Sequence, residues 1–311
     1  MAISRSQLLK ELLPGLNSLF GLSYKQYENQ HKEIFEVESS DRSFEEETKL
    51  AGFGQAPVKS EGSGIHYDTG AQESFTSRYV HETVAMGFSI TQEAMEDNLY
   101  DSLSARYTKA LARSMAYTKQ VKAANILNNG FNGAYLGGDG TTLFGNNSGS
   151  TRVGHPLTGG GVNYNSPTVG VDLNETAIEA AVIQINGWVD ERGLLVAAKP
   201  RKIIVPPSYQ FTVKRVLGTD GRVGTADNDL NALKTLGTIG SGFAINNFLT
   251  DTNAWFILTD VPDGLKMFQR VGMQTAMEGD FDSGNVKYKA RERYSFGFSD
   301  PLAIWGSSGS S

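Results

Sequence analysis

Cysteine is absent from this 311-residue chain, which excludes disulfides, thiolate zinc sites and a cysteine nucleophile and leaves stability to packing and assembly. Long apolar runs are missing too. Nowhere does the chain approach the roughly 18 consecutive apolar residues of a spanning helix, and Met1 to Leu22 lacks the basic start and apolar core of a leader. The expectation is a soluble, unprocessed chain with no membrane partner. Basic charge is in deficit: 28 Lys and Arg stand against 34 Asp and Glu, a net charge of -6. That is the reverse of a protein that grips nucleic acid over much of its surface, so direct duplex reading is disfavoured.

Groups for catalysis are equally scarce. The histidines His31, His66, His81 and His155 lie far apart, and none forms the i, i+4 pair of a helical zinc site. His81-Glu82 starts as a metalloprotease motif does, but Ala85 stands where the second ligand belongs. Neither a nucleophile elbow nor a Walker loop occurs, and Gly237 to Gly242 has its glycines in the wrong order for a dinucleotide fingerprint. Asp227-Asn228-Asp229 lacks the glycine and the downstream Glu of a calcium loop. Glu96-Asp97 and the pair Asp280, Asp282 sit where helix-start and turn carboxylates are expected. No catalytic, metal-binding or cofactor-binding residue is therefore expected.

Glycine is abundant, 35 residues in all, and concentrated. Gly130 to Gly170 reads as a long exposed loop, which either carries contacts between subunits or is an insertion. Before it, Leu8, Leu9, Leu12, Leu13, Leu16, Leu19 and Phe20 are spaced as an amphipathic helix, with Pro14 expected to interrupt it. Alone such a helix is marginal, so it must dock on its own body or on a neighbour. Phe44 to Glu73 is polar and glycine-rich around Glu61-Gly62-Ser63-Gly64, and reads as a long hairpin. Its large apolar residues, Leu50, Phe53, Val58 and Ile65, cannot make a private core. Phe75 to Ile90 alternates as a strand whose first part returns the hairpin and whose last part enters the core.

Thr91 opens the clearest helix. Glu93, Glu96 and Asp97 crowd its start, and Met95, Leu99, Leu103, Tyr107, Leu111 and Met115 step by four along one side. Run to Asn129, it would be on the order of 55 Å long. Glu175 to Val189 reads as a second helix stopped at Gly193. Lys202 to Val205 is a buried strand ended by Pro206-Pro207, Tyr209 to Leu217 a helix, Asp220 to Gly242 a loop, and Trp255 to Leu258 another buried strand. The last strand, Val286 to Phe298, precedes a Gly/Ser tail. Its period of two sets Val286, Tyr288, Ala290, Tyr294, Phe296 and Phe298 on one face and Lys287, Lys289, Arg291 and Arg293 on the other. The basic ladder is either a solvated sheet face or a receiver for an acidic partner, for which Glu45, Glu46 and Glu47 have the required sign.

The order of these elements resembles the major capsid proteins of tailed bacteriophages, the Hong Kong 97-type α+β fold. The residues that carry the resemblance are Val84 to Asn98, where a strand enters a long "spine" helix, and Lys287 to Pro301, the closing aromatic strand and Asp-Pro turn. The resemblance implies an N-terminal arm over 1–43 and an extended hairpin loop over 44–82 that overlies a neighbouring subunit. It implies a peripheral domain over 83–200, with spine helix 91–129 and glycine-rich loop 130–170, an axial domain over 201–264, and a return with the closing strand over 265–311. The subunit-contact candidates are then Glu45, Glu46, Glu47, Leu50, Phe53, Val58, Ile65, Lys287, Lys289, Arg291 and Arg293.

The implied function is self-assembly as hexamers and pentamers into an icosahedral head in the virion, made in the host cytoplasm, that encloses double-stranded DNA without reading its sequence. Portal, scaffolding and decoration proteins are the implied further partners. Some members carry a long N-terminal scaffolding segment; here the arm begins at Met1, which implies a separate scaffold or none. Some also cross-link Lys to Asn, and Lys49 and Lys59 lie in the corresponding region, with no identifiable partner. An encapsulin-like nanocompartment is the alternative within the same fold, and a hydrolytic enzyme or cell-surface binding module the alternative outside it.

Overall fold

A computed structural model describes residues 5–91, 93, 100–147, 153–221, 229–280 and 284–310. The closing strand β11 (Val286–Phe298) lies inside a four-stranded sheet of order β1-β10-β11-β4, with β1 at Glu36–Ser39, β10 at Leu265–Gly279 and β4 at Glu82–Ile90. Its alternation is realised as read: Val286, Tyr288 and Ala290 are buried while Lys287, Lys289 and Arg291 are exposed. Strand β10 went unassigned in the sequence. Its inward residues beyond Gly272, such as Met273 and Met277, pack on the edge of the core and leave a weak apolar signal.

On the inward face of this sheet lie helix α1 (Arg5–Gln26) and helix α2 (Tyr100–Asn128). Leu16 and Phe20 of α1 join Leu111, Ala112 and Met115 of α2 and Tyr288 and Ala290 of β11 in one buried cluster. The arm therefore docks on its own body. Pro14 lies inside α1 and does not end it; burial of the turns beyond it outweighs the roughly 3 kcal/mol that an interior proline costs. The expected start of the long helix, including Met95, Glu96, Asp97 and Leu99, lies outside the described residues, as do Arg152, Asp227, Asn228 and Asp282.

A second four-stranded sheet has the order β12-β9-β7-β8, formed by Ile304–Ser307, Trp255–Thr259, Pro200–Val205 and Phe243–Ile245. Both of its faces are covered, which is why its strands read as continuous apolar runs. Ile203, Val205, Trp255, Ile257 and Trp305 face helices α3 (Glu175–Asn186) and α4 (Gln210–Gly218). Ile204, Phe256 and Ile304 face Phe144, Leu127 and Tyr294, in the core shared with the first sheet. A short helix α5 (Ala232–Thr235) completes this half. The segment read as a Gly/Ser tail thus supplies a buried edge strand, because Ile304 and Trp305 fill opposite cores.

Two further expectations are corrected. Helix α3 starts at the Asn174 cap and ends at Gly187, while Gly193 (φ +82) serves a turn at Asp190 to Gly193. The glycine-rich loop is folded onto the core, where Leu143, Phe144, Asn146, His155, Asn163 and Asn165 are buried, and it contains the short strands β5 (His155–Pro156) and β6 (Val162–Asn163). Its glycines let backbone approach rings. A Cβ on Gly130 would come within 2.5 Å of the Phe144 ring, and one on Gly306 of β12 would come within 2.6 Å of its other edge. Asn165 then locks the loop, donating from Nδ2 to the carbonyls of Leu143, Pro301 and Ile304 at 2.8, 2.9 and 3.0 Å.

Candidate assembly surface

The hairpin is built from β2 (Phe44–Ala51) and β3 (Gln72–Val80), paired antiparallel from Phe44↔Val80 to Ala51↔Gln72 with an irregularity at Lys49/Leu50. The long alternating segment divides at His81. Up to and including it Ser77, Tyr79 and His81 are buried; after it the inward positions of β4 are Val84, Phe88 and Ile90, while Met86 is exposed. The His81 ring, between Ser40 Oγ at 2.8 Å and Ser295 Oγ at 3.0 Å, holds the change of face. Burial and the neighbouring Arg293 push its pKa below the ordinary histidine range.

A polar latch fixes the base of the hairpin. Tyr79 packs edge-on against Phe268, with ring centroids 4.8 Å apart, and its hydroxyl lies 2.5 Å from Ser299 Oγ. Ser299 also donates to Glu47. Lys266, nearly buried, meets Glu47 at 2.5 Å, Asp263 at 2.8 Å and Glu38 at 3.0 Å. Burial would lower its pKa, but Asp263, Glu47 and Glu38 outweigh it and hold Lys266 above the ordinary lysine range. Lys49 lies 2.7 Å from Asp300 and 3.6 Å from Glu191. Farther out, Arg192 donates to the Gly70 carbonyl at 3.0 Å and lies 3.4 Å from Asp68. The Asp68 carboxylate is held below its ordinary range by the backbone N–H groups of Gly54 and Gly70 and by Arg192. Sequence reasoning missed this latch, because Lys266 lay in the unassigned strand and Arg192 in a loop.

Beyond the latch the hairpin has no cover. Leu50 is 67% exposed, Phe53 67%, Val58 97%, Ile65 71% and Tyr67 81%. Burying five such side chains is worth on the order of 10 kcal/mol before ordering costs. Nothing in the described chain supplies that burial.

The charged candidates are placed separately. Glu47 is taken by Lys266 and Ser299, Glu46 lies 3.6 Å from Arg78, and Glu45 accepts from Ser40 Oγ at 2.7 Å. On β11, Lys287 pairs with Asp280 at 2.8 Å and Arg293 is half-buried. Lys289 and Arg291 face outward between Gly87 and Ala85 of β4 and Ala276 and Gln274 of β10. Among the described residues no ion pair joins this ladder to the acidic run. Nor, among the described residues, does any group of three or more His, Asp or Glu side chains form a metal cradle, and no helix there is long and apolar enough to cross a membrane.

A family model described as "Phage capsid protein" matches residues 73–306, well over half of the chain. No curated protein matches by sequence. Among solved structures, the capsid of an empty GTA particle is similar at 14% identity, covering 92% of this chain and 91% of that one with a TM-score of 0.57. A virus-like particle from Pyrococcus furiosus is similar at 10% identity over 95% and 99%, TM-score 0.55. The capsid of the cyanophage P-SCSP1u is similar at 10% identity over 88% and 85%, TM-score 0.54. At these identities the likeness is one of fold, and it is the Hong Kong 97-type α+β fold.

Proposed function

Because this chain belongs to the phage capsid protein family, a structural and not an enzymatic one, we propose that it self-assembles as hexamers and pentamers into the icosahedral head of a tailed phage enclosing double-stranded DNA. The observation that carries the reading is the uncovered hairpin. Its base is fixed by ion pairs while Leu50, Phe53, Val58, Ile65 and Tyr67 stand in solvent. An isolated subunit gains nothing from an apolar projection anchored at its base; a subunit whose neighbour receives it gains most of the burial. On this reading the first sheet with α1 and α2 is the peripheral domain and α2 its spine. The second sheet with α4 and α5 is the axial domain, which also recruits β12 from the end of the described chain.

The basic ladder of β11 is the second contact. Lys289 and Arg291 carry no carboxylate within the described chain and lie between uncharged neighbours, a surface open to an acidic partner. Reversing Arg291 and Arg293 to Glu impairs assembly, with partial rescue by Lys at 45 and 46; normal assembly of the reversed protein refutes this contact. Negative-stain microscopy with sedimentation tests the whole reading. Uniform shells or isolated capsomers support it, and a monodisperse monomer at micromolar concentration overturns it. The virus-like particle, covered over 99% of its chain, supports a second reading, a nanocompartment shell. Shells purified with a protein cargo and no DNA would favour that reading.

A further inference from the structure

We infer that the exposed face of α2 is a sequence-independent contact for the phosphate backbone of the enclosed nucleic acid, so that the helix side of the peripheral domain faces the shell interior. From Tyr100 to Asn128 this helix has five basic residues and one acidic one, Asp101, in a chain that is acidic overall. Two of the five are engaged within the chain, Lys119 with Glu292 and Lys122 with Glu82. The other three, Arg106, Lys109 and Arg113, are exposed and recur at i, i+3 and i+7 on one helix face. The opposite face, with Leu111, Ala112 and Met115, is buried against α1 and β11. Among the described residues no carboxylate pairs with Arg106, Lys109 or Arg113.

The three unpaired cations span about 10 Å of helix axis. Over that length a duplex presents about six backbone charges. Three cations spaced along two turns match a row of backbone charges, and contacts of that kind position a duplex without reading its sequence. The remaining acidic surface keeps the grip local, as a shell that must fill and empty requires. The inference rests on the shell reading, because it takes its partner from what the shell encloses.

The test uses full-length subunits kept dilute enough to stay unassembled, a fluorescein-labelled 30-base-pair duplex, and anisotropy titrations across a salt series. The variant Arg106→Gln/Lys109→Gln/Arg113→Gln is compared with Lys199→Gln/Arg201→Gln/Lys214→Gln, an equal charge change at exposed sites elsewhere. The stripe variant is expected to lower the slope of log affinity against log salt by about 2.7, so that the unmodified chain loses roughly 40-fold more affinity than the variant between 50 and 200 mM salt. The control variant keeps the full slope, and Arg106→Lys/Arg113→Lys keeps binding. An unchanged slope in the stripe variant, or no binding by the unmodified chain, overturns the inference. So does a folded stripe variant that no longer forms shells, which would make the stripe a contact between copies, and so does tighter binding of poly-glutamate than of duplex, which would assign it to an acidic protein. Failure of the shell reading shows separately, as an unmodified chain that never assembles.

Discussion

Lys119→Met should destabilise the isolated subunit by about 3–5 kcal/mol, the cost of leaving one charge of a buried pair uncompensated. Lys119 and Glu292 side chains are 7% and 2% exposed, and Nζ lies 2.9 Å from one carboxylate oxygen and 3.0 Å from the other. The Tyr24 hydroxyl completes the cluster, donating to Glu292 at 2.9 Å and accepting from Lys119 at 3.0 Å, so the same group ties α1 to the sheet. Burial and the adjacent Glu292 carboxylate push the Tyr24 pKa far above its ordinary value, in keeping with a dry site. Methionine keeps the stem packing of lysine and removes the charge. Glu292 then faces Tyr24 alone. A loss of this size is a fifth or more of the stability of an ordinary domain, about 5–15 kcal/mol. The double variant Lys119→Met/Glu292→Leu removes both charges and should recover most of the loss, since apolar replacement of a buried pair is often near neutral. Urea denaturation of dilute subunits measures each corner of the cycle. A single-variant loss below about 1 kcal/mol, or additivity within about 0.5 kcal/mol, would refute the claim that the pair is desolvated and coupled.

The His31 ring is pressed by burial and by Lys119 to a pKa of about 4. Because the folded value is depressed, its contribution is fully present above the unfolded value near 6.5 and is lost as pH falls toward 4. Stability should fall by about 2 kcal/mol between neutral pH and pH 5, and His31→Asn should flatten that slope in unfolding titrations. Gly306→Ala places a methyl against the Phe144 ring and should cost about 1–3 kcal/mol; an unchanged urea midpoint would show that the ring gives way. Replacing Phe53, Val58 and Ile65 by Ser should leave subunit stability within about 0.5 kcal/mol yet abolish shells in negative-stain images. Shells of normal size from that variant would remove the hairpin tip from the assembly surface.

Periodicity determined much of this protein on its own. The alternation of β11, the uninterrupted apolar stripe of α2 from Leu111 to Met115, and the doubly buried run Ile203-Ile204-Val205 each follow from which faces must leave water. So does the uncovered hairpin, because too few apolar residues between Phe44 and Glu73 can be read directly as no private core. Tertiary structure decided what depends on partners distant in sequence. Pro14 sits within a helix because Leu16 and Phe20 find α2; Ile304 and Trp305 form a strand because two cores await them. The glycines of the 130–170 loop admit the Phe144 ring where composition alone suggested an exposed loop. Glu47 is drawn from a free acidic run into the field of Lys266, more than two hundred residues away. Local pattern fixes which face of an element is apolar, but not which of several like-charged or apolar groups it will meet, and that choice belongs to packing.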